Sequence, residues 1–236
     1  MKSSKEEIGV LLSKEKYDFD DLCGLVSVLR SEDGCPWDRE QTNKSIRNCM
    51  IDETYEFIEG LDNDDNALMC EELGDVLFQI IFHSDIKKDE AAFTVDDVID
   101  GICKKMIMRH PHVFGNVSVS NSSEVLVNWE NIKNDEKKRK TPYEQLDSVA
   151  RTLPSLMRCQ KLQSKAVKNN LIKELSFDEQ IEAAEKKLHE LKCKKNADAL
   201  GELLFSICGI SKILDVESEE ILYIENEKFL KGFCDF

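Results

Sequence analysis

The sequence predicts an all-α protein made of two tandem helical-bundle domains, the second a degenerate repeat of the first. Proline and glycine are scarce, with four and ten residues among 236. Apolar residues recur at helical spacing along most of the chain, and no long run alternates apolar with polar residues as a half-buried strand would. A segment of the first half also returns in altered form in the second half, which is typical of a duplicated helical unit.

The first predicted helix covers residues 19–30. It begins with Asp20 and Asp21, whose carboxylates suit the positive end of the helix dipole. The stretch SEDGCPWDREQTNKS that follows is predicted to be a loop, because Asp-Gly and Cys-Pro favour turns.

Later helices of the first half have recognisable ends. Asp64 or Asp65 is placed to cap one of them, and Thr94 with Asp97 forms a weak capping box for another. Pro111 prevents continuation through RHPHVFGN. The helices predicted here cover residues 45–61, 67–87, 95–108 and 120–140.

The second half begins a new set of helices after a boundary predicted at TPYEQLD. These helices are predicted over residues 149–168, 177–194, 197–214 and 217–231. We therefore expect an N-terminal segment, a first helical domain and a degenerate second domain, over residues 1–17, 18–145 and 146–236.

The repeated segment carries acidic residues in its first copy that the second copy has lost. ELGDVLFQI, which starts at Glu72, returns as ALGELLFSI, which starts at Ala199. ETYE, which starts at Glu53, returns as KLHE, which starts at Lys187. The apolar positions are kept, but lysine is a cation and alanine has no side-chain oxygen. We therefore expect chemistry in the first copy only.

Two acidic pairs in the first copy form a candidate metal site. Glu53 with Glu56, and Glu72 with Asp75, are spaced i, i+3, which puts each pair on one face of a helix. The second pair stands in an otherwise apolar segment, where a carboxylate needs a cation or hydrogen bonds. Gly74 is expected to allow close approach of the helices. An all-oxygen set predicts Mg2+, with Mn2+ as the alternative.

Other interpretations of these acids are weaker. An acidic pair alone is common on a solvated helix face. Di-iron bundles use Glu-x-x-His motifs, and the residues three before the four histidines are Ile80, Ile107, Arg109 and Lys186. The sequence has no Walker-type glycine loop and no readable nucleophile and base set. Mg2+ held by carboxylates is the usual arrangement for handling phosphates, so a phosphate substrate is favoured.

Composition excludes several partner classes. A formal charge of −15 argues against nucleic acid and against an anionic membrane surface. No apolar run approaches the roughly 20 residues that span a bilayer, and the start lacks a signal peptide, so we expect a cytoplasmic protein. Nine cysteines without Cys-x-x-Cys spacing predict reduced thiols. Four of them stand among apolar residues and are expected to be buried: Cys23, Cys70, Cys103 and Cys208.

Several motifs resemble the MazG family. In chain order they are GCPWDREQTNKSI, DETYE, EELGD, RHPHVFG, NWENIKNDEK and VARTLPSLMRCQKLQSKA. The resemblance implies a fold of the all-α NTP pyrophosphatase type. It also implies Mg2+-dependent hydrolysis of nucleoside triphosphates between the α and β phosphates, giving NMP and pyrophosphate, and a homodimer. The family's metal motif, E-x-x-E followed by E-x-x-D, falls on Glu53, Glu56, Glu72 and Asp75.

The resemblance also implies roles for single residues. A metal-held water would attack, with Glu53 or Glu56 as the base. Substrate contacts would come from six residues: Trp37, Asp38, Gln41, Lys44, Lys105 and Arg109. The tryptophan could instead anchor a loop, and the cations could be ordinary surface charges.

Departures from the family leave other functions open. Asn43 stands where family members commonly have histidine, and Met108 replaces one of two basic residues. One alternative is an enzyme restricted to one modified or deoxy nucleotide. The other is a nucleotide-binding regulatory or dimerisation scaffold with little catalysis, which the decayed second copy favours.

Overall fold

The computed structural model describes residues 4–136 and 141–233, and over these residues it is helical with no strand, which confirms the predicted fold class. The helices are α1 Ser4–Leu12, α2 Phe19–Leu29, α3 Pro36–Glu40, α4 Arg47–Asp62, α5 Asn66–Asp89, α6 Val95–Arg109, α7 Pro111–Phe114, α8 Ser122–Glu136, α9 Pro142–Asp147, α10 Ser155–Lys168, α11 Phe177–Lys194, α12 Ala197–Ile213 and α13 Ser218–Lys231.

The chain divides into two compact units, Met1–Ser118 and Val119–Phe236. The sequence placed the division later, between residues 145 and 146. In the structure TPYEQLD forms α9, which begins with Pro142 in its first turn and packs against α10, so it belongs to the second unit. Helix α1 packs against α2 and is therefore part of the first unit.

Capping explains where the central helices begin. Asp65 accepts hydrogen bonds from the backbone nitrogens of Ala67 and Leu68, at 3.0 and 3.1 Å, and so starts α5. Thr94 and Asp97 form a complete capping box at the start of α6, as predicted. Each cap satisfies backbone N–H groups that have no partner inside the helix.

Proline accounts for the main differences from the predicted helices. The predicted loop before α4 contains α3, because Pro36 is pre-organised for the first position of a helix. Helix α10 begins at residue 155 and not at 149, because Pro154 precedes it with an extended ψ of 142°. Residues 137–140 of the predicted helix 120–140 lie outside the described residues.

The core of the first unit lies between α2 and α5. Its buried residues are Val26, Ile46, Ile81, Phe82 and Ile86. Three of these come from α5, which places one face of that helix in the interior and leaves its opposite face outside the core. The apolar burial holds α5 in place along its C-terminal half, beyond the acidic residues.

Arg30 connects the end of α2 to α5. Its guanidinium is 2.5 Å from Asp85 Oδ2 and 2.8 Å from Asp89 Oδ2, and it lies 5.7 Å from the ring centre of Phe82. The side chains of Arg30 and Asp85 are 7% and 12% exposed. The ion pair between Arg30 and Asp85 therefore holds α2 and α5 together. Removing one partner would leave the other charge largely buried without its partner, which is costly.

Helices α4 and α5 form a hairpin whose close contact depends on Gly60. A Cβ at Gly60 would lie 3.0 Å from the backbone nitrogen of Met69, so a larger residue would push the helices apart. The prediction that Gly74 allows two helices to approach closely is wrong for contacts among the described residues. A Cβ there would meet no atom within 4 Å, because Gly74 lies on the exposed face of α5.

The second unit is centred on a hairpin of α11 and α12, against which α10 packs. Two glutamines hold it to neighbouring backbone. Gln163 donates to the carbonyl of Phe205 at 2.6 Å, and Gln180 donates to the carbonyl of Ser206 at 2.9 Å. These bonds satisfy the side-chain amides of the two glutamines and join α10 and α11 to α12, next to the buried glycine Gly209.

The described cysteines are free thiols of differing exposure. Cys208 is buried as predicted, and burial raises the pKa of the neighbouring Cys159 thiol to about 12. The prediction of burial was wrong for Cys70 and Cys103, which are exposed. Cys23 is half-buried. A local apolar pattern therefore did not report burial, since Cys70 is exposed although Leu68 and Met69 beside it are half-buried.

Arg30→Met is expected to lower the free energy of unfolding by about 2–3 kcal/mol, because Asp85 is left largely buried without its arginine. Urea unfolding followed by circular dichroism measures the loss. Adding Asp85→Asn should recover part of it. The control is Arg151→Met, which breaks an exposed pair with Asp147 and should cost about 0–1 kcal/mol. An equal loss in both single variants would contradict this role for Arg30.

Candidate metal centre

The hairpin of α4 and α5 brings acids from both helices together. Glu53 and Glu56 lie on α4, and Glu72 lies in the first half of α5. Each contributes a carboxylate oxygen, and these three atoms all lie within 4.8 Å of one another. Three of the four predicted metal ligands therefore meet in one cluster, which we call the carboxylate cluster.

Glu72 is the buried member of the carboxylate cluster. Only 4% of this residue is exposed, and its Oε2 atom is buried with no hydrogen-bond partner among the described residues. Glu53 is half-buried, and Glu56 is exposed. A buried carboxylate oxygen without a partner is costly, because folding removes its water and supplies nothing in exchange.

The electrostatics of the carboxylate cluster are unfavourable without a cation. Burial raises the pKa of Glu53, and the charges of Asp75 and Glu56 raise it further. Burial likewise raises the pKa of Glu72, followed by the charge of Glu56. In the part of the chain that the structure describes, no lysine or arginine forms an ion pair with any of these acids. The fold therefore holds several negative charges together without a counter-charge.

These features fit a divalent cation. The donor set is all oxygen, which Mg2+ and Mn2+ prefer. A bound cation would satisfy the orphaned oxygen of Glu72 and would offset the repulsion within the carboxylate cluster. Asp75 lies outside the three-residue set and is exposed, but its charge acts on both Glu53 and Glu72. It stays a predicted ligand.

The predicted nucleotide-contacting residues lie on and after α3. Trp37 is 60% exposed, and its carbonyl accepts a 2.8 Å hydrogen bond from the Gln41 amide. Asp38 is half-buried and Lys44 is exposed. The Gln41 carbonyl oxygen accepts from Ser45 Oγ at 2.7 Å, so Gln41 links α3 to the approach of α4. Their contact with substrate stays a prediction.

The predicted phosphate-contacting residues lie on α6, which packs against α5. Lys105 is half-buried, whereas Arg109 is only 5% exposed and has an interaction within the chain. The two side chains therefore differ in what they can do. Lys105 is partly accessible from the surface, whereas Arg109 is largely enclosed, and the phosphate contacts of both stay a prediction.

Sequence reasoning did not place Gln79 and His83 near a site. Gln79 is buried and its Oε1 has no partner among the described residues. The Asn43 amide nitrogen lies 2.7 Å from His83 Nδ1 and donates to the His83 carbonyl at 3.1 Å. Gln79 follows Glu72 by seven residues, or about two helical turns, so spacing alone puts both on one face. This seven-residue spacing is the sequence signal that could have placed Gln79 on the same helix face as Glu72.

The fold and the cluster define an all-α protein in which one helical hairpin brings together three carboxylates, one of them buried, that have no lysine or arginine partner among the described residues. Residues 41–114, which include this hairpin, match the MazG nucleotide pyrophosphohydrolase domain. Together with curated relatives that are 35–36% identical over about 91% of the chain, this match shows that the chain belongs to the MazG nucleotide pyrophosphohydrolase family. The predicted family is therefore confirmed, and with it the predicted class of enzyme.

Similarity to known relatives extends over most of the chain and supports its membership of this family. It is 36% identical over 224 residues to the nucleoside triphosphate pyrophosphohydrolase/pyrophosphatase MazG of Thermotoga maritima, a match that covers 91% of this chain and 84% of the relative. It is 35% identical over 227 residues to the nucleoside triphosphate pyrophosphohydrolase of Escherichia coli strain K12, covering 91% and 85%. It is 40% identical over 231 residues to "Uncharacterized protein YabN" of Bacillus subtilis, covering 92% of this chain but 46% of that protein. The chain thus spans less than half of that last relative.

Within the described residues, every helix is too short or too polar to cross a bilayer.

Glu72→Gln is expected to stabilise the metal-free chain, because it removes the buried charge. The raised pKa of Glu72 means that the folded state keeps the proton more tightly than the unfolded state does, so its contribution to stability falls as pH rises above the ordinary glutamate range. The variant should therefore exceed the wild type in EDTA by a larger margin at pH 7 than at pH 4, below the ordinary glutamate range. Thermal unfolding in EDTA measures it.

Glu59→Gln is the control, since it removes an exposed carboxylate from the same hairpin. Adding Mg2+ should raise the melting temperature of the wild type and of the control, but have little effect on Glu72→Gln. A destabilised Glu72→Gln variant at pH 7 in EDTA would contradict this account of the carboxylate cluster.

Proposed function

We propose that this chain is a Mg2+-dependent nucleoside triphosphate pyrophosphohydrolase, which cleaves NTPs or dNTPs between the α and β phosphates to give NMP and pyrophosphate. The observation that carries the proposal is the carboxylate cluster, with its orphaned buried oxygen on Glu72. It lies inside the segment that matches the MazG nucleotide pyrophosphohydrolase domain. Relatives that match most of the chain are named nucleoside triphosphate pyrophosphohydrolases.

The metal would be held by Glu53, Glu56, Glu72 and Asp75. A bound divalent cation supplies charge that offsets the phosphates and lowers the pKa of a water. The catalytic base is Glu53 or Glu56. Glu56 is exposed, so solvent water reaches it. Burial raises the pKa of Glu53, which favours proton acceptance by that residue.

The nucleotide would approach this hairpin between α3 and α6. The exposed ring of Trp37 offers a face on which a base can stack, and Asp38 and Gln41 offer polar groups beside it. Lys44 and Lys105 supply cations for the phosphates, and Arg109 supports them from within α6. In a chain with a net charge of −15, such local cations lower the repulsion that a triphosphate would meet.

A panel of NTPs and dNTPs, incubated with Mg2+ or Mn2+, tests the reaction. The expected products are the nucleoside monophosphate and pyrophosphate. Release of orthophosphate and the diphosphate would contradict the proposal. The same panel separates a broad enzyme from one restricted to a single modified or deoxy nucleotide.

Glu56→Gln and Asp75→Asn should each lower kcat by roughly 10²–10⁴-fold, the range expected when a base or a positioning ligand is lost. Both residues are exposed, so circular dichroism and melting temperature should stay close to those of the wild type. Glu71→Gln, an exposed neighbour on α5, is the control and should keep most activity. Unfolded Glu56→Gln and Asp75→Asn variants would show that these acids are structural.

A nucleotide-binding scaffold with little catalysis is the second candidate. It is favoured by the second unit, where only two of the four repeat positions carry carboxylates. Metal-dependent turnover of about 1 per second or more would argue against it, since this is the ordinary enzyme range.

We also propose that the chain acts as a homodimer in the cytoplasm. Apolar residues line the outer faces of the α4 and α5 hairpin: Ile58, Leu61, Leu73 and Leu77 are all exposed. A patch of this kind on a soluble chain usually marks an interface. Free thiols in the described chain are also usual in a reducing compartment.

Leu77→Lys should shift the chain from dimer to monomer, because it places a charge in the centre of this apolar face. Sedimentation equilibrium should give about twice 27.1 kDa for the wild type and 27.1 kDa for the variant. Leu12→Lys, at a more exposed position on α1, is the control. A wild-type chain that sediments as a monomer would contradict the dimer.

A further inference from the structure

The second unit contains the counterpart of the carboxylate cluster on its own hairpin. Helix α11 corresponds to α4, and α12 corresponds to α5, by the repeat in the sequence. The four positions are occupied by Lys187, Glu190, Ala199 and Glu202 in place of Glu53, Glu56, Glu72 and Asp75. Two carboxylates thus remain, one on each helix.

The Lys187 ammonium group lies between these two carboxylates. Its Nζ is 2.8 Å from Glu202 Oε2 and 3.2 Å from Glu190 Oε2. The first bond joins α11 to α12, and the second lies within α11. A positive group therefore contacts acids from both helices of the hairpin, as a bound metal would in the first unit.

We propose that Lys187 is a resident cation of the second unit, which takes the place that a divalent metal has in the first and closes this site to metals. The proposal concerns the second unit alone, and it stands whether or not the first unit hydrolyses nucleotides.

Charge balance differs between the two hairpins in the way this predicts. Hydrogen bonds to Glu202 and Glu190 raise the pKa of Lys187, and the bond to Lys187 lowers the pKa of Glu190. In the first hairpin no described lysine or arginine pairs with Glu53, Glu56 or Glu72. The second hairpin thus supplies a counter-charge to its acids, whereas the first hairpin supplies none.

Ala199 is the second substitution that distinguishes this hairpin from the first. It is 2% exposed, in the position where Glu72 buries a carboxylate in the first unit. A methyl group there needs no partner, so the second hairpin has no orphaned oxygen at this position. The two substitutions act together: one supplies a cation and the other removes the ligand that most needs one.

An ordinary surface ion pair is the competing explanation. The pair of Lys187 with Glu190 alone would fit it, since i, i+3 pairs are common on helices. Glu190 also lies 3.4 Å from Lys194, a more exposed lysine. The bond from Lys187 to Glu202 is different, because it spans fifteen residues and joins two helices at the position equivalent to Asp75.

Mn2+ binding to the full chain tests the proposal. Electron paramagnetic resonance counts bound Mn2+ in a background that combines Glu53→Gln, Glu56→Gln, Glu72→Gln and Asp75→Asn, in which the first cluster is disabled. With Lys187 in place we expect no bound Mn2+. Adding Lys187→Glu and Ala199→Glu restores four carboxylates in the second unit and should give one bound Mn2+ per chain. Binding in the background itself, or no gain in a variant with native circular dichroism, would overturn the proposal.

Thermal unfolding gives a second measurement. Lys187→Met should lower the melting temperature by roughly 2–4 °C in EDTA, and millimolar Mn2+ should recover part of this loss. Lys187→Arg, which keeps the charge, should behave like the wild type. Lys186→Met, an exposed neighbour on α11, is the control. The proposal would be overturned if Lys187→Met had the same melting temperature as this control and if Mn2+ did not raise that temperature. This outcome would count against it even if the first cluster binds no metal.

Discussion

The burial of the Glu72 carboxylate is the constraint that the rest of the first unit must maintain against its electrostatic cost. One of its oxygens has no hydrogen-bond partner in the described chain, and two further glutamate oxygens lie within 4.8 Å of its carboxylate. Such an arrangement is unfavourable in isolation, because desolvation and repulsion act in the same direction. It persists because the surrounding helices are held in place by contacts that lie elsewhere.

Those contacts are well separated from the acids. The apolar core and the Arg30 pair fix the C-terminal half of α5, and Asp65 caps its start. Gly60 lets α4 approach α5 closely where the hairpin turns. Glu72 is thus placed by its neighbours and contributes little to its own position. Under the proposed function, an arrangement of this kind would give up local stability for a site preformed for a cation.

Periodicity and capping rules made most of the helices predictable, because both depend on neighbours within a few residues. The meeting of Glu53, Glu56 and Glu72 was predictable for a similar reason, since i, i+3 spacing fixes which side chains share a face. Exposure was harder to predict. Gly74 and Cys70 stand in apolar surroundings in the sequence, yet both are exposed in the chain. The pattern of apolar residues shows that a helix has an apolar face, but it does not show what covers that face. It also does not show that α5 has a second apolar face.

The two hairpins show what the fold requires and what the chemistry requires. Both keep the Leu-Gly and Leu-Leu-Phe or Val-Leu-Phe positions, and both pack closely as helical pairs. They differ at the charged positions, where the second has Lys187 between two carboxylates and Ala199 in the interior. A hairpin of this type can therefore fold with its charges balanced from within the chain. Because that option is available, the unbalanced carboxylates of the first hairpin are not a requirement of the fold, and their cost is best explained by a cation and the anionic substrate that it would serve.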